Sequence, residues 1–165
     1  MKTILDSWNA GFVRRWHTNL HMVEHDDRNH SHQHRVTILL LKLWPDSSRE
    51  AIIDALAHDQ GEVDWADVPY PAKSRFPDVG ELGESIELTS ITEQGLNVGI
   101  TMEEKERRVF CDRLDSYLWM LRCCAYLRNR PEWITQYTAM FTSAEKLGVG
   151  SEFTALIDEA VQYYT

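Results

Sequence analysis

The spacing of apolar residues along the chain is that of amphipathic helices. Ile4, Trp8 and Phe12 recur every four residues, which predicts a first helix over residues 3–13 with one apolar face. No stretch shows the alternation of apolar and polar residues that is typical of a half-buried strand. The pattern therefore predicts an all-α protein, a bundle of six or seven helices.

The second helix is predicted to be buried on most sides. Of residues 36–41 only Thr37 is polar, and Pro45 ends the helix. His32 lies four residues before Val36 and hence on the same helical face. We therefore expect the imidazole of His32 to point into the protein.

The third and fourth helices flank a segment rich in proline. Ser47 or Ser48 caps the third helix, whose predicted core face consists of Ile52, Ile53 and Leu56. Residues 61–77 contain three prolines and are predicted to form a connecting loop. The fourth helix is predicted over residues 79–96, with the inward apolar positions Val79, Leu82, Ile86 and Leu96.

Three further helices follow, and each has a start signal. Thr101 and Glu104 form a capping box for the fifth helix, which is predicted to reach about residue 128. Pro131 opens the sixth helix, which ends near Gly148. Ser151 is predicted to cap the last helix, whose apolar stripe is Phe153, Leu156, Ile157, Ala160 and Val161.

Length, composition and charge describe a globular protein with a core. The chain has 165 residues, 43% of them hydrophobic, which predicts one domain over residues 1–165. A formal net charge of −9 argues against duplex nucleic acid or an anionic membrane as the main partner. A small anionic ligand remains compatible, because clustered basic side chains can oppose the global charge.

Cysteine usage and the lack of long apolar runs favour a cytoplasmic protein. The three cysteines are odd in number, and Cys123 and Cys124 are adjacent in a predicted helix, so no disulfide framework is expected. The first residues are too polar for a secretory segment, and no run of about 18 apolar residues predicts a spanning helix.

The candidate chemistry centres on the end of the third helix, where His58 and Asp59 are adjacent and Glu62 lies one turn further on. An imidazole beside a carboxylate at the end of a buried helix forms half of a metal site. His32 and Asp112, the latter in the most apolar helix, supply the other half. Two imidazoles and two carboxylates suit Zn²⁺, Mn²⁺, Co²⁺ or Fe²⁺ better than Ca²⁺.

Each of these residues also has a simpler interpretation. Asp112 can be a buried acid that an arginine neutralises, and Asp115 is an alternative candidate on the same helix. Glu62 can be a solvated acid, or it can orient and deprotonate a water without binding metal. Six of the seven histidines crowd residues 17–34, where a solvated loop explains most of them.

The order of these residues resembles the H…HD…D signature of the HD-domain phosphohydrolases, an all-α superfamily. The closer resemblance is to the bacterial 5′-deoxynucleotidases and covers about residues 12–120. Five ordered segments match: Arg15-Trp16, His32-Gln-His-Arg-Val36, His58-Asp59-Gln-Gly-Glu62, Asp67-Val-Pro69-Tyr-Pro71-Ala-Lys73 and Asp112-Arg-Leu114-Asp-Ser-Tyr117-Leu118. The last match favours Asp112 over Asp115, and the resemblance implies a single HD-domain helical bundle.

The resemblance implies a metal centre and a water-positioning acid. One divalent transition metal, Zn, Co or Mn, would be held by His32, His58, Asp59 and Asp112. Glu62 would position the attacking water in line with the 5′-oxygen.

The resemblance also implies four substrate contacts. Arg15 and Lys73 would neutralise phosphate oxygens, with His34, Arg35 and Arg75 as further charge. Trp16 would stack on or wall off the base or sugar, although an anchor for the first helix is an equally simple role. Asp67 would accept a hydrogen bond from the 3′-hydroxyl or hold Lys73.

Three departures from the pattern leave the substrate open: Ser31, His17 and Tyr70. The Arg-Trp-His-Thr variant and the short chain resemble the small phage dATP triphosphohydrolases, which remove dATP in phages that replace adenine by 2-aminoadenine. This resemblance implies hydrolysis of dATP to deoxyadenosine and triphosphate in a host cytoplasm, with Mg²⁺ on the triphosphate as a further cofactor. The alternative is a 5′-deoxynucleotidase that hydrolyses deoxynucleoside monophosphates, because both reactions break the same P–O5′ bond.

Two other classes of function remain at the level of sequence. A non-catalytic sensor of nucleotide or metal has no need of Glu62, and a histidine-rich metal-binding protein would use residues 17–34. The expected partner is a small deoxynucleotide, with no nucleic acid and no membrane. A homo-oligomer is predicted from exposed-looking aromatic residues in the last two helices, namely Trp133, Tyr137, Phe141, Tyr163 and Tyr164.

Overall fold

The computed structural model of the protein describes residues 1–66 and 70–165, and these residues confirm the predicted all-α class. The helices are α1 (Ile4–Ala10), α2 (Asn29–Leu43), α3 (Arg49–Ala57), α4 (Tyr70–Arg75), α5 (Pro77–Glu93), α6 (Met102–Cys124), α7 (Pro131–Lys146) and α8 (Gly150–Tyr164). Short 3₁₀ helices follow α3 and α6, at Gln60–Asp64 and Ala125–Asn129. A bridge between Arg14 and Arg28 pairs the two ends of the segment that joins α1 to α2.

The core forms around α2 and α6. These helices pack against each other and against α3, while α7 and α8 cover α6. Fully buried residues recur at helical spacing on both central helices, as Val36 and Leu40 on α2 and Leu114 and Leu121 on α6 show. The two helices that carry predicted metal ligands therefore lie at the centre of the protein.

Local start signals set most helix boundaries. Thr101 and Glu104 form the predicted capping box, and Ser48, rather than Ser47, accepts the N–H of Ala51 at the start of α3. The prediction for Ser151 is wrong, because α8 begins one residue earlier with Val149 at its N-cap position.

The predicted core face of α3 is wrong. The buried residues are Ala51, Ala55 and Ala57, whereas Ile52 and Ile53 are half-buried and Leu56 is 45% exposed. Alanine at these positions lets α3 pack closely against α2 and α6. A prediction from apolar periodicity gives most weight to large side chains. It therefore places the isoleucines and Leu56 on the core face, where the structure has the alanines.

The prediction of a loop over residues 61–77 and the predicted core face of α5 are also wrong. Residues 61–77 include most of the 3₁₀ helix and all of α4, although three prolines interrupt them. Helix α5 buries Gly83 and Ser90, while Leu82 is 54% exposed. A Cβ atom on Gly83 would lie 3.1 Å from Trp65 Nε1, which shows how closely α5 approaches its neighbour.

Helix α1 ends at Ala10 and leaves its predicted apolar face in solvent. Ile4 is 92% exposed and Trp8 is 63% exposed. Lys2 fixes the start of the chain to the end of α5, because its N–H donates to the Glu93 carbonyl and its Nζ donates to Ser90 Oγ at 2.7 Å. The apolar face of α1 therefore stays exposed while the start of the chain is fixed to α5.

Two of the five aromatic residues predicted to be exposed lie in or against the core. Trp133 is buried and Tyr137 packs against the core, whereas Phe141, Tyr163 and Tyr164 are exposed. Within the described ranges, each helix is too short or too polar to cross a membrane.

Candidate metal centre

Four side chains from three helical segments meet at one point. His32 Nε2 on α2 lies 3.2 Å from His58 Nε2 at the end of α3 and 3.1 Å from Asp112 Oδ1 on α6. Asp59 reaches the same point, with Oδ2 3.4 Å from His32 Nε2 and Oδ1 3.5 Å from His58 Nε2. The structure thus brings together the four residues for which the sequence predicts a metal-binding role.

The hydrogen bonds of the outer ring nitrogens fix how the two imidazoles face each other. His58 Nδ1 lies 2.9 Å from the Ala55 carbonyl, and His32 Nδ1 lies 2.7 Å from Asp115 Oδ2. A carbonyl and an ionised carboxylate only accept, so each Nδ1 carries the proton of a neutral ring. Each Nε2 then presents a lone pair to the shared point.

This donor set fits a divalent transition metal. His32 Nε2 lies within 3.4 Å of His58 Nε2, Asp59 Oδ2 and Asp112 Oδ1, and with both rings neutral these donor atoms repel one another unless a cation, either a metal ion or a proton on His32, lies among them. Nitrogen and oxygen ligands in this ratio suit zinc and its first-row neighbours. The group His32, His58 and Asp59 offers three ligand atoms within 4.8 Å of one another.

Burial and neighbouring charges shift the pKa values of the residues in the cluster. Burial and Arg15 lower the pKa of His32, but its interactions with Asp112 and Asp115 outweigh them and hold that pKa above its usual value. Burial alone would raise the pKa of Asp112, yet the neighbouring imidazoles hold it well below its usual range. Burial lowers the pKa of His58, which favours the neutral ring that binds metal.

Glu62 lies beside the cluster and is buried. Asn29 at the start of α2 donates from Nδ2 to Glu62 Oε2 at 2.8 Å and to the Asp59 carbonyl at 3.0 Å. The simpler interpretation of Glu62 as a solvated acid is therefore wrong. Asn29 was not singled out from the sequence, although its position three residues before His32 places it on the same helical face.

Arg15 and Trp16 lie on the α1–α2 segment and bind two acids, the half-buried Asp59 and the buried Asp27. Arg15 Nη1 donates to Asp59 Oδ2 at 2.6 Å, and its Nε lies 3.7 Å from Asp27 Oδ2. Trp16 Nε1 donates to Asp27 Oδ2 at 3.3 Å, and its ring packs against Trp133 at a centroid distance of 6.4 Å. Trp16 thus packs against the core.

The remaining predicted substrate residues divide between α4 and the undescribed segment. Lys73 on α4 lies with Nζ 3.4 Å from Glu87 Oε1 on α5. Burial raises the pKa of Glu87, although Lys73 opposes this shift, and the backbone of Glu87 lies against Gly61, the residue before Glu62. Asp67 lies outside the described residues.

Arg35 does not extend the predicted phosphate-binding charge. Its guanidinium binds Asp115 and Asp27, both of which are buried. From the sequence, Asp115 was considered only as an alternative to Asp112, and Asp27 was not singled out, because residue spacing does not show which buried carboxylates share a cation.

The fold of the described residues is similar to that of a solved HD-domain phosphohydrolase. The similarity is seen with the solved HD phosphohydrolase DatZ of cyanophage S-2L, a structure bound to dA and one catalytic Zn²⁺ ion. The two agree with a TM-score of 0.75 and 20% sequence identity over 99% of this chain and 98% of that one. No family model matches the chain, and no curated protein matches its sequence. The predicted resemblance is thus confirmed for the fold.

Proposed function

We propose that this protein is a metal-dependent phosphohydrolase that converts dATP to deoxyadenosine and triphosphate. The observation that supports it most is the convergence of two imidazole nitrogens and two carboxylate oxygens beside a buried, separately held glutamate. The fold similarity to a phosphohydrolase bound to dA adds support for a deoxyadenosine nucleotide. In a phage with 2-aminoadenine in its DNA, such an enzyme would deplete dATP.

The proposed metal ligands are His32, His58, Asp59 and Asp112. A zinc, cobalt or manganese ion bound by these residues would supply Lewis-acid chemistry, which would polarise the reacting phosphoryl group and lower the pKa of the attacking water. The ring orientations already described leave both Nε2 atoms available for such an ion, and Mg²⁺ is proposed as the counter-ion of the triphosphate.

Glu62 is the proposed general base. Its carboxylate is held by Asn29, which also binds the backbone of Asp59, so that the acid keeps a fixed position relative to the proposed ligands. From there it would orient the attacking water and take its proton as the P–O5′ bond breaks, and that proton would pass to the 5′-oxygen, which leaves as the nucleoside alcohol.

Arg15 and Lys73 are proposed to neutralise the phosphate oxygens. Both side chains pair with acids of the site, Arg15 with Asp59 and Lys73 with Glu87. Trp16 is proposed to form a wall beside the base or sugar, and Asp67 to contact the sugar or Lys73.

The second candidate is a 5′-deoxynucleotidase that releases orthophosphate from deoxynucleoside monophosphates. It uses the same metal centre and the same Glu62, and differs in the charge needed beyond the α-phosphate. Arg35 forms ion pairs with Asp27 and Asp115, so one cation fewer is available beyond the α-phosphate than the sequence predicts. This supports the nucleotidase more strongly than the sequence alone does.

A substrate panel separates the two candidates. The protein is incubated with dNTPs, dNMPs and rNTPs in the presence of Zn²⁺, Co²⁺, Mn²⁺ or Mg²⁺, and the products are resolved by chromatography. Deoxyadenosine with free triphosphate is the expected result. Orthophosphate from dNMPs would favour the nucleotidase, and no hydrolysis with any metal would refute both.

We further propose that the protein is a homo-oligomer. The supporting surface is the exposed apolar face of α1 together with the exposed leucines of α5, rather than the aromatic residues of α7. Monomeric proteins rarely expose large contiguous apolar patches without a partner.

A further inference from the structure

Asp115 lies behind the proposed metal centre, on the side of His32 that faces away from the other ligands. We propose that Asp115 is a positioning residue that selects the metal-binding tautomer of His32, and that Arg35 holds Asp115 in the orientation this requires. The inference rests on the proposed metal centre and extends it to two residues that bind neither metal nor substrate.

The contacts of Asp115 are short and use both of its oxygens. His32 Nδ1 lies 2.7 Å from Oδ2, and the same oxygen accepts from Arg35 Nη2 at 3.0 Å. Oδ1 accepts from Arg35 Nε at 2.7 Å. This two-point contact fixes the plane of the carboxylate as well as its position.

Arg35 is itself fixed from two other directions. Its Nη2 donates to Asp27 Oδ1 and Oδ2 at 2.9 and 3.1 Å, and its guanidinium carbon lies 4.6 Å from the centre of a Trp119 ring. Asp27 is 1% exposed and Asp115 is 3% exposed. A guanidinium held by two buried acids and an aromatic face has little freedom to release Asp115.

The tautomer matters because His32 has one nitrogen on each side of this arrangement. With the proton on Nδ1, the lone pair of Nε2 points at His58, Asp59 and Asp112; with the proton on Nε2, the ring blocks the position that a metal would take. An ionised carboxylate only accepts, so Asp115 stabilises the first tautomer. Removal of a carboxylate that orients a metal-binding histidine typically lowers metal affinity by about 10- to 100-fold. We expect a loss of similar size here.

The substitution Asp115→Asn tests the proposal because an amide cannot replace both carboxylate oxygens. Oδ2 accepts from His32 Nδ1 and Arg35 Nη2, and Oδ1 accepts from Arg35 Nε, whereas an amide offers one acceptor oxygen and an NH₂ group that only donates. With the NH₂ group in the place of Oδ2 the amide favours the wrong tautomer of His32, and with the NH₂ group in the place of Oδ1 it faces Arg35 Nε and the two-point contact is lost. The expected result is a loss of zinc affinity of about 10- to 100-fold, measured by competition with a chromophoric chelator.

Asp27→Asn is the matched control. Asp27 is equally buried and shares Arg35, but its other partners are Arg15 and Trp16 rather than His32. Asp27→Asn weakens a contact of Arg35 but removes none of His32, so it is expected to lower zinc affinity less than Asp115→Asn does, although both variants lower the melting temperature of the metal-free protein. The visible absorption spectrum of bound Co²⁺ is expected to change in Asp115→Asn alone.

Each outcome has a distinct meaning. Equal zinc affinity in the wild type and Asp115→Asn, or an equal loss in Asp115→Asn and Asp27→Asn, overturns the inference and leaves the proposed function intact. A wild-type protein that binds no divalent transition metal overturns the proposed function and the inference with it.

If Asp115→Asn does not fold, the tautomer can be read in the wild type. Long-range ¹H–¹⁵N spectra of the metal-free protein, recorded at a pH at which His32 is neutral, report which ring nitrogen carries the proton, and the signals of His32 are those missing from His32→Gln. A proton on Nδ1 is expected, and a proton on Nε2 would refute the proposal.

Discussion

Asn29 helps to set the position of the Glu62 carboxylate. Asn29 donates to it and to the backbone of Asp59, so the acid is aligned with the cluster without being one of the four convergent side chains. A group placed in this way can act on a water molecule while the ligand set remains complete.

Glu62→Gln is therefore expected to separate metal binding from turnover. Glutamine keeps an oxygen that accepts from Asn29 but has no basic carboxylate, so turnover should fall by about 10²-fold or more while metal content is unchanged. Steady-state rates and elemental analysis of the same sample give the comparison.

Asp64→Asn provides the control, since Asp64 lies in the same 3₁₀ helix but pairs with Lys2 at the surface. It should retain full turnover. Normal turnover in Glu62→Gln would show that the role assigned to Glu62 is wrong.

Residue order in the sequence predicts which side chains converge, but not what holds them. His32, His58, Asp59 and Asp112 could be named because their order and spacing follow a pattern. Asp27 and Asp115 could not be named in this way. They are linked because both bind Arg35, and that is a tertiary contact which the sequence does not show. Asp115 illustrates this: on α6 it is weighed only as a rival to Asp112, whereas in the structure it binds the far side of His32.

At the level of elements, the 3₁₀ helix that carries Glu62 packs directly on the backbone of α5. A Cβ atom at Gly61 would lie 2.4 Å from the Cα of Glu87 and 2.5 Å from its carbonyl oxygen. Those atoms belong to a helix backbone and cannot move aside singly, so the close approach requires glycine.

Gly61→Ala should consequently destabilise the protein by about 1–3 kcal/mol, the usual cost of overpacking, and should lower turnover because Glu62 is the next residue. Thermal unfolding measures the first effect.

Gly99→Ala is the matched control, because a Cβ atom there would have no described neighbour within 4 Å. Its effect should stay within about 0.5 kcal/mol. Equal stability of the two variants would contradict the close packing of these elements.

Helix signals in the sequence predict where elements begin better than which face they bury. The capping box of Thr101 and Glu104 sets the start of α6 correctly, since it is a local interaction. The buried faces of α3 and α5 were missed because alanine, glycine and serine make the contacts there, and small residues carry little weight in an apolar pattern. What selects them is the approach of a neighbouring helix, which is a property of the fold.

At the level of the whole molecule, the exposed apolar face of α1 is a feature that is unusual in a monomeric protein. Ile4, Leu5 and Trp8 are each more than half exposed in a chain of net charge −9. Contact with a second copy would remove this surface from water.

Light scattering on the purified protein should therefore give a mass above that of one 19.2 kDa chain, and Trp8→Asp should shift the distribution towards the single chain. Tyr163→Asp, a change at an 81% exposed residue of α8, should leave the mass unchanged. A wild-type protein with the mass of one chain would refute the proposed homo-oligomer.

The account depends above all on a divalent cation held by His32, His58, Asp59 and Asp112. The most direct test is the metal content of the zinc-loaded, desalted protein, measured by mass spectrometry for the wild type, for Asp112→Asn and for a triple alanine variant of His21, His25 and His30. We expect about one zinc per chain in the wild type and in the triple variant, and a large loss in Asp112→Asn. Full zinc content in Asp112→Asn, or its loss in the triple variant, would contradict the proposed site.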